Sequence, residues 1–260
     1  MNALDFGFAG LEAQMWQILF LSVRCGAALL AAPMVGGMAV PVQLRVLLSL
    51  VVAVFVASWL PLPEIPVMMS FASLLAILQE AVIGAAMGFI LQVAFAIPLI
   101  AAEQISGTMG LAIATSIDPS SGSQSGAMGS FFSITMTLLF YAIGGHLLWF
   151  QLLVESHRIL PPGTFLFAAE RAQAIVLFMG YALATAAAIA LPVVLILLLV
   201  QVITGVIARS APALNLFALG LPAGVLTGLV ALIIVMPLVV DQFARVIATA
   251  LGEIEGIITP

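Results

Sequence analysis

The chain has 260 residues, of which 64% are hydrophobic and only 7% are charged. Soluble domains carry about 25% charged residues, so the composition indicates an integral membrane protein in contact with membrane lipid. The 11 acidic residues stand against six Arg and no Lys. This balance excludes a basic nucleic-acid-binding face and a polybasic lipid-binding surface. With Cys25 as the single cysteine, no intrachain disulfide can form.

Six apolar blocks follow one another along the chain, and each is a candidate helical span. About 20 residues are needed to cross the hydrocarbon, so the second block is short whereas the third and fifth are long. The uneven lengths favour either a polytopic protein with helical hairpins or a helical assembly that does not sit squarely in the bilayer. The blocks comprise residues 15–33, 46–60, 71–102, 127–154, 174–208 and 214–240.

Prolines and arginines give further information about these blocks. Pro98 and Pro192 fall inside long blocks and predict kinks, because proline removes a helical hydrogen bond. Arginines outside the blocks divide three against two between the two sides of a six-span arrangement. The positive-inside rule therefore leaves the membrane orientation open.

The stretch between the third and fourth blocks, residues 104–126, is rich in Gly and Ser and nearly free of charge. Its low content of helix formers predicts non-helical backbone that separates a first half, residues 1–103, from a second half, residues 127–260. Non-helical backbone at membrane depth persists only where protein or an aqueous cavity satisfies its polar groups. We therefore expect this segment to line or block a passage.

Sequence motifs for catalysis, metal binding or phosphate binding are weak. Residues 122–126 read Gly-Ser-Gln-Ser-Gly, which is close to the G-x-S-x-G nucleophile elbow but has Gln124 in place of its serine, and no strand precedes them. An intramembrane serine protease that pairs Ser125 with His146 is a remote alternative. The two His and one Cys lack metal-ligand spacing, and no glycine loop for phosphate is present. We expect neither an enzyme nor a cofactor.

Ionisable side chains inside apolar blocks are costly and usually face a partner or a cavity. One interpretation makes them inter-subunit ion pairs or a hydrophilic pore lining, whereas the other pairs Arg24 with Glu80 inside this chain. Glycines at a spacing of four, as in 84–88 and 220–228, allow close helix approach. The ionisable residues in question are Arg24, Glu80, Glu103 and His146.

Four stretches in the same order resemble the FliR family of flagellar export-gate membrane proteins, whose relatives serve virulence type III secretion. The first is E-x-x-I-G-x-x-x-G-F from Glu80, with Gly84 and Gly88, and the second is M-G-L…D-P. The third is the G-H run that includes His146. The last resembles R-x-x-P-Q-x-N-x-F-x-x-G-x-P, with Ala213 in place of Gln; it contains Arg209, Pro212, Asn215, Gly220 and Pro222.

The resemblance implies an all-α fold of membrane-type helical hairpins with kinked helices, assembled into a helical hetero-oligomeric export gate. The partners would be P-type and Q-type gate subunits (FliP-like and FliQ-like), a FlhB-like switch subunit and unfolded export substrates. The location would be the bacterial inner membrane, within the flagellar basal body. The resemblance also implies a plug inside the channel, with Gly107, Met109, Gly110, Leu111, Ile113, Asp118 and Pro119 as its residues.

A secondary transporter is the main alternative function. Helices broken at Pro98 and Pro192 would then form a substrate site near the bilayer midplane. Such a transporter predicts an inverted repeat between the two halves, and the sequence has none that is recognisable.

Overall fold

A computed structural model describes residues 8–36, 40–59, 70–111, 126–162, 169–210 and 216–259. Within these ranges every regular element is an α-helix, which confirms the all-α fold. The helices, in chain order, are α1 (Phe8–Ala31), α2 (Pro33–Gly36), α3 (Val42–Trp59), α4 (Phe71–Met109), α5 (Ala127–Ala142), α6 (Gly145–Ile159), α7 (Ala169–Ser210) and α8 (Leu216–Ile258).

Five helices are long and apolar enough to cross a membrane, and the bent pair α5–α6 makes up to six among the described residues. Large apolar side chains point outward from them, for example Trp59 (73% exposed), Phe71 (77%) and Ile233 (76%). Exposed apolar surface on this scale marks contact with lipid or with other proteins rather than with water. The chain is an integral membrane protein.

The fourth apolar block is not one helix, contrary to our expectation for residues 127–154. It consists of α5 and α6, which are bent by 66° at a two-residue break. Gly144 has φ +74°, a left-handed conformation that glycine adopts at low cost. The Ile143 N–H still donates to the Leu139 carbonyl, while the Gly144 carbonyl accepts from the Leu147 N–H and starts α6.

The end of α4 also corrects the expected non-helical start of residues 104–126, because the helix continues through Met109. Ser106 and Thr108 fit this apolar helix because each hydroxyl donates to a carbonyl one turn earlier, on Glu103 and Gln104. Gly110, with φ +83°, then ends the helix and donates its N–H to the Gly107 carbonyl at 3.1 Å.

The remainder of that segment, residues 112–125, lies outside the described residues. Three predicted plug residues fall within it: Ile113, Asp118 and Pro119. Both prolines that predicted kinks lie within continuous helices, Pro98 in α4 and Pro192 in α7.

The chain divides into two compact units, each built from separated stretches. Unit 1 comprises Met1–Val93, Gly144–Phe178 and Thr249–Pro260, and unit 2 comprises Ala94–Ile143 and Met179–Ala248. The division into a first half, a plug segment and a second half remains a prediction.

Apolar side chains make up most of the interior of each unit. In unit 1 Leu21 packs with Ala53 and Val56 of α3. In unit 2 the Phe132 ring of α5 meets the Phe243 ring of α8 edge-on, with centroids 5.6 Å apart.

Candidate functional sites

The first site, in unit 1, begins with a close contact between α1 and α4. A Cβ atom added at Gly84 would overlap the Arg24 carbonyl oxygen, and one at Gly88 would overlap the Ala28 carbonyl oxygen and lie 2.6 Å from the Ala31 Cβ. The two helices therefore touch backbone to backbone, as the G-x-x-x-G spacing predicts. This approach brings Arg24 within reach of Glu80, one turn before Gly84.

Arg24 and Glu80 form a bidentate ion pair inside this chain. The Arg24 Nε lies 2.7 Å from Glu80 Oε2, and Nη2 donates to Oε1 at 2.9 Å. Both side chains are buried, with 0% and 1% of their surface exposed. Two parallel charge-assisted hydrogen bonds fix the geometry as well as the charge. The sequence left open whether these two residues pair with each other or with another subunit, and in the structure they pair with each other.

The same guanidinium also binds the C-terminal end of α6. Nη1 donates to the Ser156 carbonyl at 2.7 Å and to its hydroxyl at 3.2 Å, and Nη2 donates to the Leu160 carbonyl at 3.0 Å. A cation is favourable at a helix C-terminus, where carbonyls lack helical partners. Arg24 thus joins α1, α4 and α6.

The sequence did not identify Ser156 or Leu160 as part of this site. The available signal was the end of α6 itself, where residues 161–163 (Pro-Pro-Gly) leave carbonyls that need a donor.

Next to Arg24, Cys25 and His157 are both buried, and the Cys25 Sγ lies 4.0 Å from the His157 Nε2. The other ring nitrogen, Nδ1, lies 3.0 Å from the Leu153 carbonyl. Among the residues whose positions are described, no three His, Cys, Asp or Glu side chains are grouped so as to hold a metal ion. The geometry of this site is that of a structural junction.

The second site, in unit 2, surrounds the C-terminal turn of α4. The Gln201 side chain of α7 donates its amide N–H to the Thr108 carbonyl at 2.9 Å. Met109 is buried and lies over Gly224 and Gly228 of α8. Sequence reasoning noted these glycines as a packing row but missed Gln201, an amide within an otherwise apolar run.

Two cavities flank this turn. One, of about 320 Å³, is lined by Thr108, Gly110, Gln201, Thr204 and Leu221 among others. The second, of about 450 Å³, is apolar, and Leu111, Met128, Phe131, Leu232 and Met236 contribute to its walls. Met109 lines both. The first cavity has a partly polar wall, whereas the lining of the second suits apolar contact.

The other predicted site residues are scattered. Glu103 and Arg209 are exposed, on α4 and in the last turn of α7, while His146 on α6 is half-buried. Gly220 is half-buried with no atom near an added Cβ, and Pro222 is exposed within α8. Four further residues named above lie outside the described ranges: Ser125, Pro212, Ala213 and Asn215.

Comparisons with known proteins give a consistent result. The family model for "Bacterial export proteins, family 1" matches residues 15–250. The chain is 32% identical to the flagellar biosynthetic protein FliR of Escherichia coli strain K12 over 236 residues, which cover 88% of this chain and 86% of that protein. Identity to the protein of the same name from Bacillus subtilis strain 168 is 30% over 235 residues, 85% and 86% of the two chains.

A further relative bears a different name. The surface presentation of antigens protein SpaR of Salmonella typhimurium is 28% identical over 194 residues, which cover 74% of this chain and 72% of that protein.

Proposed function

The chain belongs to the bacterial export proteins, family 1, and from this premise we propose that it forms and plugs the conduit of the flagellar type III export gate. It is a component of the type III export apparatus, and its role there is structural rather than enzymatic. The observation that carries the proposal is the match over nearly the whole chain to relatives named for flagellar biosynthesis.

Membership of this apparatus means that the protein works with other export components. The specific partners that we propose are P-type and Q-type gate subunits and a FlhB-like switch subunit, in the bacterial inner membrane at the flagellar basal body. The apolar side chains exposed along α7 and α8, for example Leu199, Val202, Ile233 and Ile234, support this proposal. Lipid and neighbouring helices would cover them.

We propose flagellar rather than virulence export because the first two relatives described above are named for flagellar biosynthesis. Identity alone does not separate the two uses, since proteins named FliR are 24–32% identical to this chain and SpaR is 28% identical. Unfolded flagellar substrates are therefore the proposed cargo.

The mechanism that we propose is passive. The segment from Gly107 to residue 117 blocks the conduit until a substrate arrives, and its first residues are the helical turn that ends at Gly110. Met109 and Leu111 lie beside the apolar cavity, which is compatible with a soft seal because methionine adapts to irregular surfaces. Energy for transport would come from other components.

Deleting residues 112–117 tests the plug, since the deletion leaves α4 and its contacts in place. The assembled gate carrying this deletion should leak ions across the membrane, whereas deleting residues 163–168, between α6 and α7, should leave leakage at the wild-type level. Native mass spectrometry confirms that each variant assembles. An assembled deletion variant that stays ion-tight would refute the plug. Uptake of a small solute by the purified chain alone would instead favour a transporter.

A further inference from the structure

The C-terminal turn of α4 is held from two sides by helices that come much later in the chain. Gln201 of α7 donates to the Thr108 carbonyl at 2.9 Å. On α8, Gly224 and Gly228 lie directly beneath Met109. A helix end leaves carbonyl groups without helical partners. These contacts therefore fix a terminus that would otherwise fray.

The contact with α8 depends on the missing Cβ atoms of two glycines. A Cβ at Gly228 would lie 2.7 Å from the Met109 Cγ and Cε and 2.8 Å from its Sδ. One at Gly224 would lie 3.2 Å from the Met109 carbonyl oxygen. Carbon atoms in favourable contact are about 3.5–4.0 Å apart. We call this pair of glycines the Met109 seat.

The seat is specific to these two positions of the glycine row. Gly220 belongs to the same row, two turns before Gly228, yet an added Cβ there would meet no atom within 4 Å. General packing of a small-residue stripe therefore does not account for the fit. Of these three glycines, only Gly224 and Gly228 lie so close to Met109 that an added Cβ atom would crowd it.

Space beside the seat would let Met109 leave it. The side chain lines both the 320 Å³ cavity and the 450 Å³ apolar cavity. Methionine has three flexible torsions and suits such irregular spaces. The Met109 side chain is therefore held by its contact with the two glycines and is not enclosed by protein on all sides.

We propose that Met109 is a positioning residue. It packs on Gly224 and Gly228, with Gln201 holding the same helical turn, and it thereby sets the direction in which the chain leaves α4 towards the plug. This role rests on the proposed function. A Cβ at position 228 pushes the Met109 side chain off the glycines towards the neighbouring cavities, so that the last turn of α4 loses this support on α8 and the exit of the chain from α4 is no longer fixed.

The seat itself can be tested without measuring export. In a Cys25→Ala background, Met109→Cys with Gly228→Cys should form an intrachain disulfide on mild oxidation, as detected by peptide mass spectrometry of the assembled complex. Met109→Cys with Gly220→Cys is the matched control and should not crosslink, since eight helical residues span about 12 Å. Failure of the 109–228 pair to crosslink would overturn the seat.

The positioning role is tested by a double-mutant cycle on ion leakage through the assembled gate. Gly228→Ala should raise leakage several-fold, while Gly220→Ala should leave it unchanged. In a Met109→Ala background Gly228→Ala should add nothing, because residues that act through one contact are not additive. Additive effects, or equal leakage from both glycine substitutions, would contradict the positioning role.

The outcomes separate this role from the plug. Leakage from the 112–117 deletion without leakage from Gly228→Ala refutes the positioning role and leaves the plug intact. No leakage from the deletion refutes the plug and with it this function of Met109. The crosslink then still reports whether the seat exists.

Discussion

Arg24 illustrates, at the scale of single residues, what a buried charge in an apolar helix requires. Its guanidinium is satisfied by one carboxylate, two backbone carbonyls and one hydroxyl. The sequence indicated that Arg24 needs a partner because an isolated charge is costly in a membrane. The sequence did not decide whether the partner is Glu80 or a group on another subunit. The energetic cost of burying a charge shows that a partner is needed, but it does not specify which group that partner is.

Removing one partner of this pair should destabilise the protein more than removing both. Glu80→Leu leaves the Arg24 charge buried without its carboxylate, a loss of about 3–5 kcal/mol for buried pairs. Arg24→Leu combined with Glu80→Leu should recover part of that loss, because no buried charge remains. The recovery is incomplete, since the Ser156 and Leu160 carbonyls lose their donor. The measurement is the thermal midpoint of the assembled complex.

An exposed ion pair provides the control for this prediction. Asp241 and Arg245 pair on the surface of α8, with side chains more than half exposed. Asp241→Asn should leave the midpoint unchanged, because exposed pairs contribute little. A double variant at positions 24 and 80 that is less stable than Glu80→Leu alone would contradict the ion-pair interpretation.

At the scale of elements, glycines decide how helices meet and where they bend. The spacing of Gly84 and Gly88 predicted a close helix neighbour, and α1 is that neighbour. The bend at Gly144 was not predicted, because a single glycine within an apolar block does not reveal its φ angle. The helical turn at residues 105–109 was also missed, since contacts with α7 and α8 outweigh its weak helix propensity.

A side chain at Gly88 should separate α1 from α4. Gly88→Ala places a Cβ against the Ala28 carbonyl oxygen, which belongs to the backbone and cannot move aside easily. Overpacking of this kind costs about 1–3 kcal/mol, and the thermal midpoint of the complex should fall. Gly180→Ala on α7 is the control, because an added Cβ there meets no atom within 4 Å. Equal effects of the two substitutions would contradict the close contact.

The bend between α5 and α6 should respond to backbone conformation alone. At Gly144 an added Cβ meets nothing within 4 Å, but φ is +74°. Gly144→Ala should therefore cost about 1–2 kcal/mol from the left-handed conformation, and Gly144→Asn should cost less, because Asn tolerates that region. The complex's thermal midpoint reports both. An alanine variant at least as stable as the asparagine variant would contradict this account of the bend.

At the scale of the whole molecule, the order of apolar blocks predicted the order of the membrane helices. Hydropathy was sufficient because every long helix carries an apolar outer surface. The two compact units were not predictable, since each joins distant stretches such as residues 94–143 and 179–248. Contacts between distant stretches of the chain depend on the shapes of the side chains, and the pattern of apolar residues along the sequence does not specify those shapes.

We propose that this chain works as one subunit of a larger export gate. Its family places it among the components of the export apparatus, and its apolar exterior is suited to contact with lipid or with other proteins. Native mass spectrometry after co-expression with P-type and Q-type gate subunits tests the claim most directly. We expect one copy of this chain in a hetero-oligomer with both partners. A chain that remains a monomer or homodimer beside assembled partners would contradict it.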